Sequence, residues 1–178
     1  TYRIAHLLTE GLAHPSEILA MTFTNKAAGE MRERVIQLVP GQMAGMWIGT
    51  FHSLWARLLR MEGERLGYGA NFTIYDQADK IALIREVART LQYVEDSMNW
   101  YDTANTISAV KTGRLPQSEQ GKEFNELYNE YHEHMRIYNA VDFDDLILLP
   151  IKIFTEHPEV LQEYQECFKY IMVDEFQD

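Results

Sequence analysis

Two hydrophobic periods alternate along the first sixty residues. Ile4, Leu7, Leu8 and Leu12 recur at three and four, which predicts a helix, with Gly11 and Pro15 as stop signals. No start signal precedes them, so the chain reads as beginning in mid-helix, like a piece cut from something longer. Ile18 to Thr22 (ILAMT) is a short apolar run that fits a buried strand. A helix follows from Lys26 to Val39, with Ala28, Met31, Val35 and Leu38 on one face and Thr24 or Asn25 as its cap. The same grammar repeats: Met46 to Thr50 (MWIGT) reads as a strand, and "FHS" opens a helix carrying Phe51, Leu54, Leu58 and Met61. Strand, polar turn and helix, twice over, predict an α/β layer with a mainly parallel sheet, whose functional residues gather where strands end and helices begin.

From Asp79 to about Ala140 the strand period disappears. Ile84, Val87, Ala88 and Leu91 form one helical face; Phe124, Leu127, Tyr128, Tyr131, Met135 and Tyr138 form another, and its spacing is that of packing, not of a stacking platform. Between them "KTGRLPQSEQGK" is loop-like. Asp142 to Phe154 and Pro158 to Phe168 read as two more helices, the first kinked or ended at Pro150. Tyr170 to Val173 reads as a last buried strand. The pattern divides the chain into an α/β part (1–78), a helical insertion (79–140) and a return to the α/β layer (141–178).

Composition narrows the classes. The 178 residues are 46% apolar, enough for a core, and no run approaches the roughly 20 apolar residues of a membrane span, so no membrane partner and a cytoplasmic location are expected. The one cysteine, Cys167, has no second thiol to pair with and reads as a buried structural thiol, which leaves redox and zinc chemistry without support. The net charge of −11 argues against a polyanion, yet residues 1 to 60 carry six Lys and Arg against four Glu, a net of +2. A nucleic acid, if bound, belongs to the first third.

Three stretches carry chemistry. The ending "YIMVDEFQD" delivers Asp174 and Glu175 at the carboxyl edge of a sheet, where one acid can hold Mg2+ and its neighbour can take a proton from water. Alone this is a weak signal, since an acidic pair after a strand is commonly a solvated turn or a cap. "TFTNKAA" (Thr22 to Ala28) and "GTFHS" (Gly49 to Ser53) each set a Thr-Phe pair just past a strand. Hydroxyls, amides and helix N-termini suit phosphate oxygens, and an exposed phenylalanine offers a base a stacking face; strand-end packing and capping are the plain alternative. "DFDDL" (Asp142 to Leu146) looks like a metal cluster, but acids at a helix start are favoured by the macrodipole. A phosphate loop, GxxxxGK[ST], is not present: Lys111-Thr112 follows Val110 where glycine is needed, and Gly121-Lys122 is followed by Glu123.

The ordered set "ILAMTFTNKAAGEMRERV", "GTFHSLWARLLR", "NFTIYD", "VDFDDLILLP" and "YIMVDEFQD" resembles the UvrD, PcrA and Rep family of superfamily 1 DNA helicases, along the whole chain and in the family's order. The resemblance implies an incomplete RecA-like P-loop NTPase lobe, subdomain 1A, interrupted by a helical subdomain 1B. It implies that Asp174 takes part in Mg2+ coordination and Glu175 orients or deprotonates the attacking water, with a less definite role for Gln177. Thr22, Phe23, Thr24 and Asn25, with Thr50, Phe51 and His52, would line a single-stranded DNA track.

The implied parent is an ATP-dependent 3′-to-5′ helicase or translocase using Mg2+ and ATP on single-stranded DNA and duplex junctions, in repair or recombination and alongside repair proteins. The family's phosphate loop, second lobe and arginine finger lie outside these residues. The chain alone is therefore expected to be inactive, because two carboxylates without a phosphate cradle do little, and its open strand edges are expected to invite self-association. Two alternatives stand beside this: a non-enzymatic DNA- or protein-binding module, and the helicase part of a recombination helicase-nuclease.

Overall fold

In the computed structural model, residues 1–93 and 99–174 are described. By compactness the chain forms two units, Thr1–Leu58 with Lys152–Asp178, and Leu59–Ile151.

The first unit is built on a three-stranded parallel sheet in the order β2-β1-β5. Here β1 is Ile18–Thr22, β2 is Trp47–Thr50 and β5 is Tyr170–Val173. Helices α1 (Tyr2–Thr9) and α2 (Asn25–Leu38) cover one face, where Ile4, Leu7, Leu8, Ile18, Ala20, Val35, Val39 and Ile48 form the core. The alternation of β1 sends Ile18 and Ala20 into that core and Leu19 and Met21 to the opposite face, the period-2 behaviour of a strand covered on both sides. On that opposite face lies an apolar groove of about 230 Å3, to which α3 (Phe51–Glu62) and α8 (Pro158–Cys167) contribute Leu54, Trp55, Tyr164 and others. Trp47 packs edge-on against Phe168 at 5.1 Å, with the Arg57 guanidinium 4.1 Å from its ring centroid.

Two expectations fail in this unit. Tyr170–Val173 is a strand, but among the described residues an outer one, paired with β1 alone, and Ile171 is 59% exposed. Its apolar run marks a surface the sheet leaves open, so the run is not evidence of burial. Cys167 is exposed at the end of α8, its Sγ 3.4 Å from the Ser16 carbonyl oxygen it donates to. It stands on the solvent side of that helix, while Val160 is the residue buried.

The second unit holds α4 (Gln77–Thr90), α5 (Trp100–Lys111) and α6 (Lys122–Ile137), packed around Leu83, Ile84, Val87, Ile107, Leu127, Tyr131 and Met135. The tyrosine-rich stripe of α6 is a packing face, with Leu127, Tyr131 and Met135 all buried. A two-stranded parallel sheet flanks the helical stretch: β3 (Thr73–Tyr75) pairs with β4 (Ala140–Asp142), Ile74 opposite Val141. Asn139, at φ 47°, fixes the approach: its carbonyl accepts from Thr73 N–H at 3.0 Å and its side-chain oxygen accepts from Gly69 N–H at 2.9 Å. Strands of three residues are too short to show a period. The unit therefore extends beyond the 79–140 stretch on both sides.

The helix placed from Asp142 starts instead at Asp145 and runs to Glu156 as α7, because Asp142 is the last residue of β4. Pro150 lies inside α7 and does not end it. At the sixth position it removes only one interior hydrogen bond, just past the first turn, whose N–H groups have no helical partner anyway.

Candidate functional site: one edge of the parallel sheet

The carboxyl ends of the three strands stand level. In the register of β1 and β2, Thr22 lies opposite Thr50, so both Thr-Phe segments leave the sheet at the same height. Met21 lies opposite Val173, and the Asp174 N–H donates to the Met21 carbonyl at 2.9 Å, extending the ladder one step past β5. Thr22, Thr50 and Asp174 thus share one sheet edge, where side chains from consecutive strand-to-helix turns converge.

The hydroxyls of this edge are occupied in shaping it. Thr22 is buried and its Oγ1 donates to the Thr24 carbonyl at 3.0 Å, while Thr24 Oγ1 accepts from the Ala27 N–H at 3.1 Å as the cap of α2. In the second segment Thr50 Oγ1 accepts from the Ser53 N–H at 3.2 Å, and Ser53 Oγ returns to the Thr50 carbonyl at 2.9 Å. Gly49 makes that close fold possible: a Cβ there would lie 2.5 Å from Ser53 Oγ and 3.2 Å from Leu54. Capping and turn-shaping therefore account for Thr22, Thr24, Thr50 and Ser53. They do not account for Phe23, which is 66% exposed at the edge; Asn25, Lys26 and His52 are also exposed, and Phe51 is half-buried.

Asp174 is exposed and borders a cavity of about 350 Å3 that Thr1, Tyr2, Ile4, Met31, Arg34, Met172 and Val173 also line. A single open carboxylate is compatible with Mg2+, which keeps several waters and takes one or two carboxylates along with substrate phosphates. Among the described residues no group of three or more His, Cys, Asp or Glu could hold a metal by itself. Glu175 and Gln177 lie outside the described residues.

The acids of "DFDDL" meet a different fate from a metal cluster. Asp142 and Asp145 are buried and each receives the Lys111 ammonium, at 2.8 and 2.7 Å. Lys80, also buried, donates to Asp142 at 3.2 Å and to Ser108 at 2.7 Å, and Ser108 donates to Asp144 at 2.6 Å. Lys111, which the failed phosphate-loop reading set aside, is an interior counter-ion. Burial works against the charge on Lys111, but Asp145 and Asp142 hold its pKa above the usual lysine value. Asp142 is held well below the ordinary carboxylate range: burial opposes its charge, and Lys111 and Lys80 outweigh it. For Asp145 burial wins and its pKa is pushed up to about 6.

Arg32, which no motif pattern marked out, donates from Nη2 to the Ile48 carbonyl at 2.6 Å, joining α2 to β2. Its partner is sixteen residues away, and no local spacing rule connects the two.

The whole chain, residues 1–178, matches the family described as UvrD/REP helicase N-terminal domain. It is 40% identical to an ATP-dependent DNA helicase PcrA of Staphylococcus aureus, an alignment covering 100% of this chain and 26% of that protein. Against the PcrA proteins of Leuconostoc citreum and Bacillus subtilis the identities are 39% and 38%, each over 100% of this chain and 25% of the relative. The chain spans about a quarter of the length of the curated relatives it matches. Matched to that family from first residue to last, and with the mixed α/β architecture of an incomplete RecA-like lobe, the chain belongs to the UvrD/REP helicases and corresponds to their N-terminal domain.

Proposed function

We propose that this chain is part of an ATP-dependent 3′-to-5′ DNA helicase or translocase of DNA repair or recombination, and that its sheet edge forms one wall of a single-stranded DNA track. The observation that carries the reading is the exposed Phe23 at an edge where Thr22 and Thr50 stand opposite each other. Phe23 stacks on a base, with a contribution of roughly 1–3 kcal/mol. The Asn25 and His52 groups meet phosphate and sugar, while Thr22, Thr24 and Thr50 hold the two segments in shape.

The same edge serves the nucleotide. Asp174 shares in holding Mg2+, and Glu175 orients or deprotonates the attacking water. Mg-ATP, when bound, supplies the phosphoryl transfer that drives movement, a reaction that depends on positioning and charge stabilisation. Residues 1–178 contain no GxxxxGK[ST] loop, and in this reading the chain needs a phosphate cradle from the full protein to turn over ATP.

The test is the ATPase rate of the full-length protein with and without single-stranded DNA. DNA should stimulate it, and Glu175→Gln should abolish turnover while leaving nucleotide binding largely intact. A rate indifferent to DNA would overturn the proposal.

A further inference from the structure

The two Thr-Phe segments are carried by different elements. The first leads into α2, whose cap is Thr24, and the second ends β2 and opens α3. Their alignment across the β1–β2 ladder is a register of four residue pairs, Leu19 with Trp47 through Thr22 with Thr50, and among the described residues β2 is an outer strand paired with β1. Packing buries all four residues of β2, but its hydrogen-bonded pairing to the sheet rests on that one short ladder, and the pairing fixes the register.

Arg32 supplies a second tie. Its guanidinium reaches from α2 to the Ile48 carbonyl at 2.6 Å, two residues before Thr50, as a partly buried, charge-assisted hydrogen bond. Arg32 lies seven residues beyond Asn25, about 10 Å along the helix axis from the turn that carries Phe23 and Thr24. That distance removes it from the ligand-facing edge. We propose that Arg32 is a positioning residue for DNA binding: it ties α2 to β2 so that the Thr22–Asn25 and Thr50–His52 segments keep a fixed separation, and it makes no contact with DNA itself. The inference rests on the reading of this edge as a DNA track.

The experiment uses the full-length protein that contains this chain and a fluorescently labelled oligothymidylate. Affinity is measured by anisotropy over a range of salt for the wild type, Arg32→Gln and Arg32→Lys, alongside thermal unfolding and amide hydrogen exchange. Arg32→Gln should bind roughly tenfold more weakly, a loss of about 1.4 kcal/mol. Its salt slope should not change, since a lost phosphate contact would lower the slope by about 1. Exchange should quicken at Gly49, Thr50, Phe51 and His52 and stay as in the wild type across β1. Arg32→Lys, which keeps a charged donor, should recover part of the affinity.

A slope lower by about one would make Arg32 a direct phosphate contact and overturn the proposal. So would unchanged affinity and exchange, or a fall in unfolding temperature with faster exchange throughout the sheet, which would make the residue merely structural. A full-length wild type that binds no oligothymidylate even at low salt would instead sink the DNA-track reading, and this inference with it.

Discussion

Asp142 and Asp145 hold one another's backbone: each carboxylate accepts the other's N–H at 3.0 Å, closing the turn between β4 and α7. The pair has the reciprocal i, i+3 form of a capping box, in the interior and with Lys111 bridging it. Removing the bridge leaves Asp142 to Lys80 and takes from the buried Asp145 the ammonium that faces it. Lys111→Met should therefore destabilise the protein by about 3–5 kcal/mol, the cost of breaking a buried ion pair on one side only. Urea unfolding of the variant checks this; a loss below about 1 kcal/mol would mean that water reaches the pair and the charges are not truly interior.

The pair also fixes a pH dependence. Asp145 has its folded pKa raised from 3.8 to about 6, so the folded state holds a proton that the unfolded state releases. Its contribution to stability is complete below pH 3.8 and is lost as pH rises through about 6. Asp142 has the opposite sign: its lowered pKa gives stability above pH 3.8 that is lost on further acidification. Between pH 4 and 6 Asp145→Asn should flatten the downward trend of stability with pH, measured as unfolding free energy against the wild type. An unchanged slope would show that Asp145 titrates normally.

Gly49 is a packing requirement, because its backbone sits against Ser53 Oγ and Leu54. Gly49→Ala should cost about 1–3 kcal/mol, the usual range for overpacking. Ser53→Ala in the same chain should recover part of it by removing the atom at 2.5 Å. Denaturant midpoints for the single and double variants provide the comparison.

Phe23 presents the reverse case. At 66% exposure it contributes little to the core, so Phe23→Ala should move stability by no more than about 0.5 kcal/mol. The same substitution should weaken single-stranded DNA binding by about 1–3 kcal/mol, read by anisotropy. Equal affinity would remove stacking from this edge.

The α/β part of the fold was legible because its signals are local. Ile18–Thr22 is the strand predicted, bounded by a Pro-containing turn and a Thr cap, and Thr24 caps α2 through its own hydroxyl. What escaped depends on partners far apart in sequence. Lys111 finds Asp142 thirty-one residues away, and "DFDDL" viewed alone cannot reveal a lysine beneath it. The β3–β4 pair escaped for the same reason, each strand having three residues and a partner across the whole helical stretch. In the candidate site, the sequence showed which residue types stand past each strand, but not that Thr22, Thr24 and Thr50 spend their hydroxyls on local turns. That distinction lies in hydrogen bonds, and composition does not determine them.

The parallel pairing of Thr22 with Thr50 makes the sheet edge a ruler graduated in residues. Adding one residue to β2 before Thr50 would raise its segment by about 3.3 Å and turn the threonine to the other face of the sheet. The offset between the two Thr-Phe segments can therefore change only in whole steps, each of which inverts a side chain. Length changes within β1 or β2 are consequently a poor route to adjusting this edge, while substitutions past the strand ends leave the graduation intact.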